Sequence, residues 1–375
     1  MIVIADDITG AAEIAGIAFS QGYDVRFVLD DGGGSHSSSL IPPPSSHITT
    51  IIATDTRSMT EADAVTETRQ LKIHNRDGSL CVLFKKTDSA LRGHVVPELL
   101  ALMATTGYQR AVYMPANPSK GRIIRKGNYY INDIPIAETA FSYDPEFPAR
   151  TSVLKERFPD AEAKNILMPN AESETDIRHI IATYDDGKTL FAGAADLFSA
   201  WLNEKRKVDG RGRKEITMCT GTILTPPSSD FTLILCGSTQ SKPQELGIPI
   251  CEMPHEVYDG LQGADYWLNH LSLLPPPSSL LLSIPFTHRT GKAAAVHLRT
   301  VMAEMAKRLV ITHYHGQRLS LIIEGGATAW ATLQALGWTQ FDIVRQLAPG
   351  VVQMRADNGT LITLKPGSYP WGNMT

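Results

Sequence analysis

The chain has 375 residues, which is long for one hydrophobic core and sets two domains as the expectation. Hydrophobic residues make up 43% and charged residues 20%, with a formal net charge of -4, so neither a disordered chain nor a broadly basic nucleic-acid or membrane-surface binder is indicated. The four cysteines (Cys81, Cys219, Cys236, Cys251) form no CxxC pair and read as reduced, buried thiols, and no apolar run approaches the ~18 residues of a membrane span, so a cytoplasmic protein is expected.

In chain order, Ile2–Ala5 reads as a short buried strand. A helix rich in small residues runs from Thr9 or Gly10 to Gln21 and closes at Gly22. Strands are expected at Asp24–Leu29, Thr49–Ala53, Cys81–Phe84 and Ala111–Met114. Ser58 and Glu61 have capping-box spacing before a helix at Ala62–His74, and Pro97 suits the first turn of a helix ending near Gly107. Alternation of strand and helix predicts a mainly parallel sheet flanked by helices, in each of two α/β domains. Pro/Ser-rich stretches at 31–47, 225–229 and 274–279 interrupt the order, and the charged segment 204–214 precedes the expected boundary between roughly 210 and 228, giving domains 1–220 and 221–375. The second domain is expected to contain strands at Phe231–Leu235, Leu280–Ile284 and Leu319–Ile323. Its helices are expected near Ala293–Leu309, with Val301, Met302 and Met305 as core, and at Ala327–Leu336.

In an open parallel sheet, ligands bind beyond the carboxyl ends of the strands. Four unusual segments fall there: "ADD" (5–7), "TDTRS" (54–58), "KKTDSALRG" (85–93) and "PANPSKGR" (115–122). They set Arg57, Lys85, Lys86, Arg92, Lys120 and Arg122 against Asp6, Asp7, Asp55 and Asp88, a composition suited to a small, polar, anionic ligand. Arg57 or Arg92 can grip a carboxylate bidentately. Asp7 or Asp88 can accept from sugar hydroxyls or act as a general base, Ser89 can donate to an oxygen, and Gly93 allows close backbone approach. Plainer roles compete: a helix cap for Asp6 or Asp7, a solvated Lys85, and an Arg57–Asp55 pair.

The second half carries glycine turns at strand ends: Gly237-Ser238-Thr239, Gly325-Gly326 before the helix opening at Ala327–Thr328, and Gly367. Backbone N–H groups at such turns, aided by a helix N-terminus, cradle phosphates. GxxxxGK[ST], GxGxxG and GxSxG are all absent, and "HYH" (313–315) lacks a third metal ligand in view.

Taken together, "ADDITGAAEIAG", "TDTRS", "KKTDSALRGHVVPEL", "PANPSKGRIIRKGNYYINDIPIAET", "DPEFP", "GSTQSKPQ", "GGATA", "APGV" and "LKPGSY" occur in an order that resembles the four-carbon acid sugar kinases. That family phosphorylates D-threonate, D-erythronate or 3-oxo-tetronates with ATP. The resemblance implies an N-terminal acid-sugar domain and a C-terminal nucleotide domain. It implies sugar-acid contacts at Asp6, Asp7, Arg57, Lys86, Thr87, Asp88, Ser89 and Arg92, with Asp7 or Asp88 catalytic. It implies ATP contacts at Ser238, Gly325, Gly326, Ala327, Thr328 and Gly367, with Mg²⁺ on ligands that no motif names, and transfer to the terminal 4-hydroxyl. The partners are then a sugar acid and ATP, with no nucleic acid or membrane, and a homodimer is the assembly to test. The chain departs from the family at Ala327, where glutamate is usual, and across Ser368–Gly372. A sugar-acid sensor with a degenerate ATP site is the alternative.

Overall fold

The computed structural model describes residues 1–30, 48–71, 73, 82–144, 146–208, 231–237, 247–271, 279–285, 291–312 and 318–367. The chain divides into two compact units, Met1–Glu215 and Ile216–Thr375. The expected linker at 210–228, the Pro/Ser stretches apart from Ser279, Cys81, Cys219, "HYH" and Ser238 all lie outside the described residues.

The first unit contains β1 (Ile2–Ala5), α1 (Ile8–Ser20), β2 (Asp24–Leu29), β3 (Ile48–Ala53), α2 (Glu61–Gln70), β4 (Leu83–Lys86), α3 (Val95–Thr106) and β5 (Arg110–Met114). There follow β6 (Arg122–Arg125), β7 (Asn128–Ile131), β8 (Ile134–Pro135), α4 (Leu154–Arg157), β9 (Ile166–Leu167), α5 (Glu174–Tyr184), β10 (Thr189–Gly193) and α6 (Ala195–Val208). The main strands run parallel in the order β2-β3-β1-β4-β10-β5-β9. β1 is buried along its whole length, as its unbroken apolar sequence requires. From β1 the chain passes to β2, returns to β3 beside β1, and then crosses to β4 on the other flank of β1, so the topological switch lies between β1 and β4, the place where open parallel sheets form a crevice. Alanines of α1 (Ala11, Ala12, Ala15, Ala18) let that helix lie close on the sheet, and Phe84, Phe198 and Trp201 stack edge-on or tilted between β4 and α6.

Between β5 and β9 the chain forms a separate antiparallel sheet, β6-β7-β8, that the sequence reading did not separate out. Both its turns, Lys126-Gly127 and Asn132-Asp133, have positive φ at both central residues, the type I′ geometry whose twist matches the flanking strands.

The second unit contains β11 (Phe231–Cys236), β12 (Ile250–Glu252), α7 (His255–Tyr258), α8 (Ala264–Leu271), β13 (Ser279–Ser283), α9 (Lys292–Thr312), β14 (Leu319–Glu324) and α10 (Gly326–Leu336). It closes with β15 (Gln340–Ala348), β16 (Val351–Ala356) and β17 (Leu361–Lys365). Its order is β12-β13-β11-β14-β17-β16-β15, parallel from β12 to β17, with β16 antiparallel to both its neighbours. Val301, Met302 and Met305 of α9 are core, as their helical spacing indicated. The fold is therefore α/β with mainly parallel sheets flanked by helices. Among the described residues no helix is long and apolar enough to cross a membrane.

Two local expectations change. α2 is capped by Thr60, whose hydroxyl accepts from Asp63 N, and not by Ser58 with Glu61; the cap moved because Thr56–Ser58 forms a 3-10 turn of its own. The fourth strand begins and ends later than expected, so Lys85 and Lys86 are strand residues and not the start of a loop.

Candidate active site

The crevice at the β1/β4 switch is built around one arginine. Asp6 and Asp7 follow β1, and Arg57 sits in the 3-10 turn after β3. Arg57 Nε and Nη2 hold the Asp6 carboxylate at 2.9–3.0 Å, Nη2 also reaches Asp7 Oδ1 at 2.9 Å, and Nη1 stands 3.6 Å from Asp88. The competing Arg57–Asp55 pair does not form; Asp55 accepts from Ser58 Oγ. Burial would lower the Arg57 pKa, but Asp6, Asp7 and Asp88 outweigh it and hold the guanidinium charged. Burial lifts the Asp6 carboxyl to about 6; Arg57 opposes the rise and Asp7 adds to it.

Asp7 is the N-cap of α1, its Oδ1 accepting from Gly10 N at 3.0 Å. The cap role and a site role coexist, because Asp7 Oδ2 takes no hydrogen bond from a described residue and the side chain keeps 20% exposure. Asp88 is the opposite case. Its Oδ2 accepts from Ala90 N, Arg92 N and Arg92 Nε, and Oδ1 from Arg92 Nη2 at 2.9 Å. Burial alone would raise its pKa, yet Arg57, Arg92 and Lys86 drive it far below the usual carboxylate range. Asp88 is thus a saturated acceptor that ties the loop after β4.

That loop is under backbone constraint. Leu91 is buried with φ +64, and Gly93 has φ +95, where a Cβ would stand 3.1 Å from Asp6 Oδ2. Arg157 Nη2 holds the Leu91 carbonyl at 2.9 Å and the Tyr129 hydroxyl holds the Ser89 carbonyl. Thr87 N donates to Gly193 O at 3.0 Å, while the Thr87 hydroxyl is buried with no partner among the described residues. Lys86 Nζ donates to Thr87 O and lies 3.6 Å from Glu13, which also takes Lys120 at 2.6 Å. Burial works against the Glu13 charge, and the two lysines more than compensate, so its pKa is lowered.

Lys85 does not face solvent. It is 1% exposed and bonded to Glu98 of α3, itself 1% exposed. Glu98 also accepts from Thr56 Oγ1 at 3.1 Å, and Thr56 meets Thr54, whose hydroxyl donates to the Ala5 carbonyl at 3.0 Å. This buried chain anchors the turn that carries Arg57. Its sequence signal was Glu98 itself, a lone carboxylate among the apolar residues of "VVPELLALM".

In the second unit the glycine turn after β14 opens onto the N-terminus of α10. Gly325 is the N-cap of α10 at φ +94, no side chain caps the helix, and Gly325 N donates to Lys365 O at 2.9 Å. Across from it, a Cβ on Gly237 would lie 1.9 Å from Thr328 Oγ1, so the end of β11 fits against the first turn of α10 only as glycine. Beneath the turn Lys365 Nζ pairs with Glu324 at 2.7 Å, both essentially unexposed. Burial pushes up the thiol of the neighbouring Cys236, and Glu324 pushes it further. Gly326, Ala327, Thr328 and Gly367 surround or follow these strand ends. Among the described residues no group of three or more His, Cys, Asp or Glu side chains gathers as a metal site.

Two domain families match parts of the chain. The sugar-binding N-terminal domain family matches residues 1–166 and the nucleotide-binding C-terminal domain family matches 281–369. A 3-oxo-tetronate kinase of Methylobacterium radiotolerans is 25% identical over 98% of this chain and 95% of its own. A D-threonate kinase of Bordetella bronchiseptica is 30% identical over 40% of this chain and 36% of its own. In solved structures, a Haemophilus influenzae protein of family DUF1537 shares the fold at TM-score 0.66 and 18% identity, covering 99% of this chain and 97% of that one. Sugar-binding and nucleotide-binding domains on one chain, with curated relatives named as kinases, make the protein a phosphotransferase. Within that class, the chain belongs to the four-carbon acid sugar kinase family.

Proposed function

We propose that the protein transfers the γ-phosphoryl group of ATP to the terminal 4-hydroxyl of a four-carbon sugar acid: threonate, erythronate or a 3-oxo-tetronate. The observation that carries this reading is the division of labour between the units. One presents a crevice of charged side chains, and the other presents backbone amides at an uncapped helix end. The curated relatives named as kinases of these three acids support it.

Phosphoryl transfer needs positioning and charge neutralisation more than covalent chemistry. Asp7 is the better of the two carboxylates for orienting or deprotonating the attacking hydroxyl, because its Oδ2 is open while Asp88 is saturated. Arg57 fixes Asp7 and Asp88 relative to each other, and Lys86 adds positive charge beside Thr87. Thr87 and Ser89 supply hydroxyls to the sugar. In the second unit, Gly325 opens the turn, the amides of Gly326 through Thr328 receive the phosphates, Gly237 keeps room for that turn, and Gly367 lines the neighbouring strand end. Ser238 joins them in the proposal as the residue after Gly237. Mg²⁺ neutralises phosphate charge in such reactions; the described residues offer it no three-ligand cluster, so no side chain and no step is assigned to it. The protein would work in the cytoplasm, and a homodimer is proposed for test.

The deciding experiment is ATP consumption by the purified protein with Mg²⁺ across four-carbon sugar acids and matched neutral sugars. Turnover confined to one acid supports the kinase and names its substrate. Acid binding with no ATP binding would overturn it in favour of the sensor, the reading that Ala327 in place of the usual glutamate favours.

A further inference from the structure

Arg57 is already committed to two carboxylates, which leaves open what receives the carboxylate of the substrate. Each cation of the crevice can be followed to its counter-charge. Arg57 goes to Asp6 and Asp7, Arg92 to Asp88 with Asp144 at 3.8 Å, Lys86 and Lys120 to Glu13, and Lys85 to Glu98. Arg122 differs. Among the described residues it makes no ion pair, although it is half-buried. Its Nη1 donates to Ser89 Oγ, and its guanidinium lies 5.7 Å from the centroid of the Phe141 ring, the same ring that Arg92 approaches at 5.9 Å. Two guanidinium groups on one aromatic ring repel each other, and only one of them has carboxylates to offset its charge.

The arginine is also held from behind. It follows Gly121 (φ +65), and its backbone exchanges both hydrogen bonds with Asn117, at 2.7 and 3.1 Å. Asn117 is buried and its Oδ1 takes Asp196 N at 3.0 Å. A rigid backbone and a ring under the guanidinium plane pre-organise the side chain, so little rotamer entropy remains to be lost on binding. With Nη1 on Ser89, a planar guanidinium still offers Nη2 and Nε to a bidentate carboxylate.

We propose that Arg122 is the residue that receives the carboxylate of the sugar acid, with the Ser89 hydroxyl as a second donor beside it, and that Arg57 is the internal counter-charge that orders the aspartates. Arg122 then sets the preference for an acid over a neutral sugar. The assignment rests on the sugar-acid reading above.

The test is calorimetric titration of the full chain with D-threonate, D-erythronate and a 3-oxo-tetronate, with the neutral polyols threitol and erythritol, and separately with ATP. Arg122→Gln is expected to weaken the bound acid by about 10–100-fold, the size of a lost charge-assisted hydrogen bond. Polyol and ATP affinities should stay the same. Arg122→Lys should recover part of the acid affinity, since a point charge replaces a fork. A purely structural Arg122 would lower acid and polyol binding together, and that result overturns the assignment. So does an unchanged acid-to-polyol ratio in Arg122→Gln when the wild-type protein binds an acid, which leaves the sugar-acid reading standing. A wild-type protein that binds ATP but none of the three acids removes the reading and the assignment at once.

Discussion

Each unit buries a lysine–glutamate pair at the carboxyl ends of its strands, and the two pairs support different rims. Lys85–Glu98 lies under a rim of charged side chains, and its hydrogen bonds pass through Thr56 to the turn that carries Arg57. Glu324–Lys365 lies under a rim of glycines, and the same Lys365 residue receives Gly325 N through its carbonyl. A sugar acid has its charge at one end and hydroxyls along the rest, so it is read by side chains of definite sign and place. A polyphosphate carries charge all over its surface and is met by repeated backbone amides. The comparison teaches that a similar buried ion pair can steady either kind of receptor, and that the rim decides the ligand.

The largest effect should come from breaking a pair. Glu98→Ala strands Lys85 in the core and should cost about 3–5 kcal/mol in urea denaturation, as should Glu324→Ala in the other unit. Replacing both partners by apolar residues, Lys85→Met with Glu98→Leu, should restore most of that stability while acid binding stays impaired, because Thr56 loses its acceptor. Full recovery of acid binding would show that the pair does not position the rim.

A smaller, one-sided effect is expected from Gly237→Ala. The new Cβ collides with Thr328 Oγ1 and must push the first turn of α10 aside, at about 1–3 kcal/mol. ATP affinity should fall about tenfold or more, on the same scale, with sugar-acid affinity unchanged. An equal loss on both ligands would break the division between the units.

The smallest effect is a pH slope. The folded Asp6 carboxyl, lifted by burial to about 6 against an ordinary 3.8, holds its proton more tightly than the unfolded chain does. Its contribution to stability is therefore full below 3.8 and is lost as pH rises to about 6. Asp88, shifted downward, contributes above its ordinary value and loses that contribution only in more acidic solution. Relative to Asp6→Asn, the wild-type protein should lose stability between those two values, by no more than about 1.4 kcal/mol per pH unit, and run parallel above. Parallel curves throughout would remove Asp6 as a buried, Arg57-bound carboxyl.

The sequence by itself determined the α/β class, the alternation of elements and the strand-end segments that carry the polar residues. Apolar runs, glycine turns and capping residues are local signals, and each acts through its immediate neighbours in the chain. It also offered Asp6 or Asp7 as the cap of α1; folding selects Asp7, where the cap shares one side chain with the crevice. It could not pair charges. Lys85 looked solvated because its partner, Glu98, lies on the next helix and reaches it only once α3 packs against the sheet. Arg57 was read as gripping a ligand carboxylate or pairing with Asp55, because Asp6 and Asp7 lie some fifty residues away, beside a strand that β3 meets only in the folded sheet. Arg122 looked like one basic residue among several until every other cation had found its partner. Those assignments belong to the tertiary structure, since a charge is spent or available only according to what folding brings within about 4 Å of it.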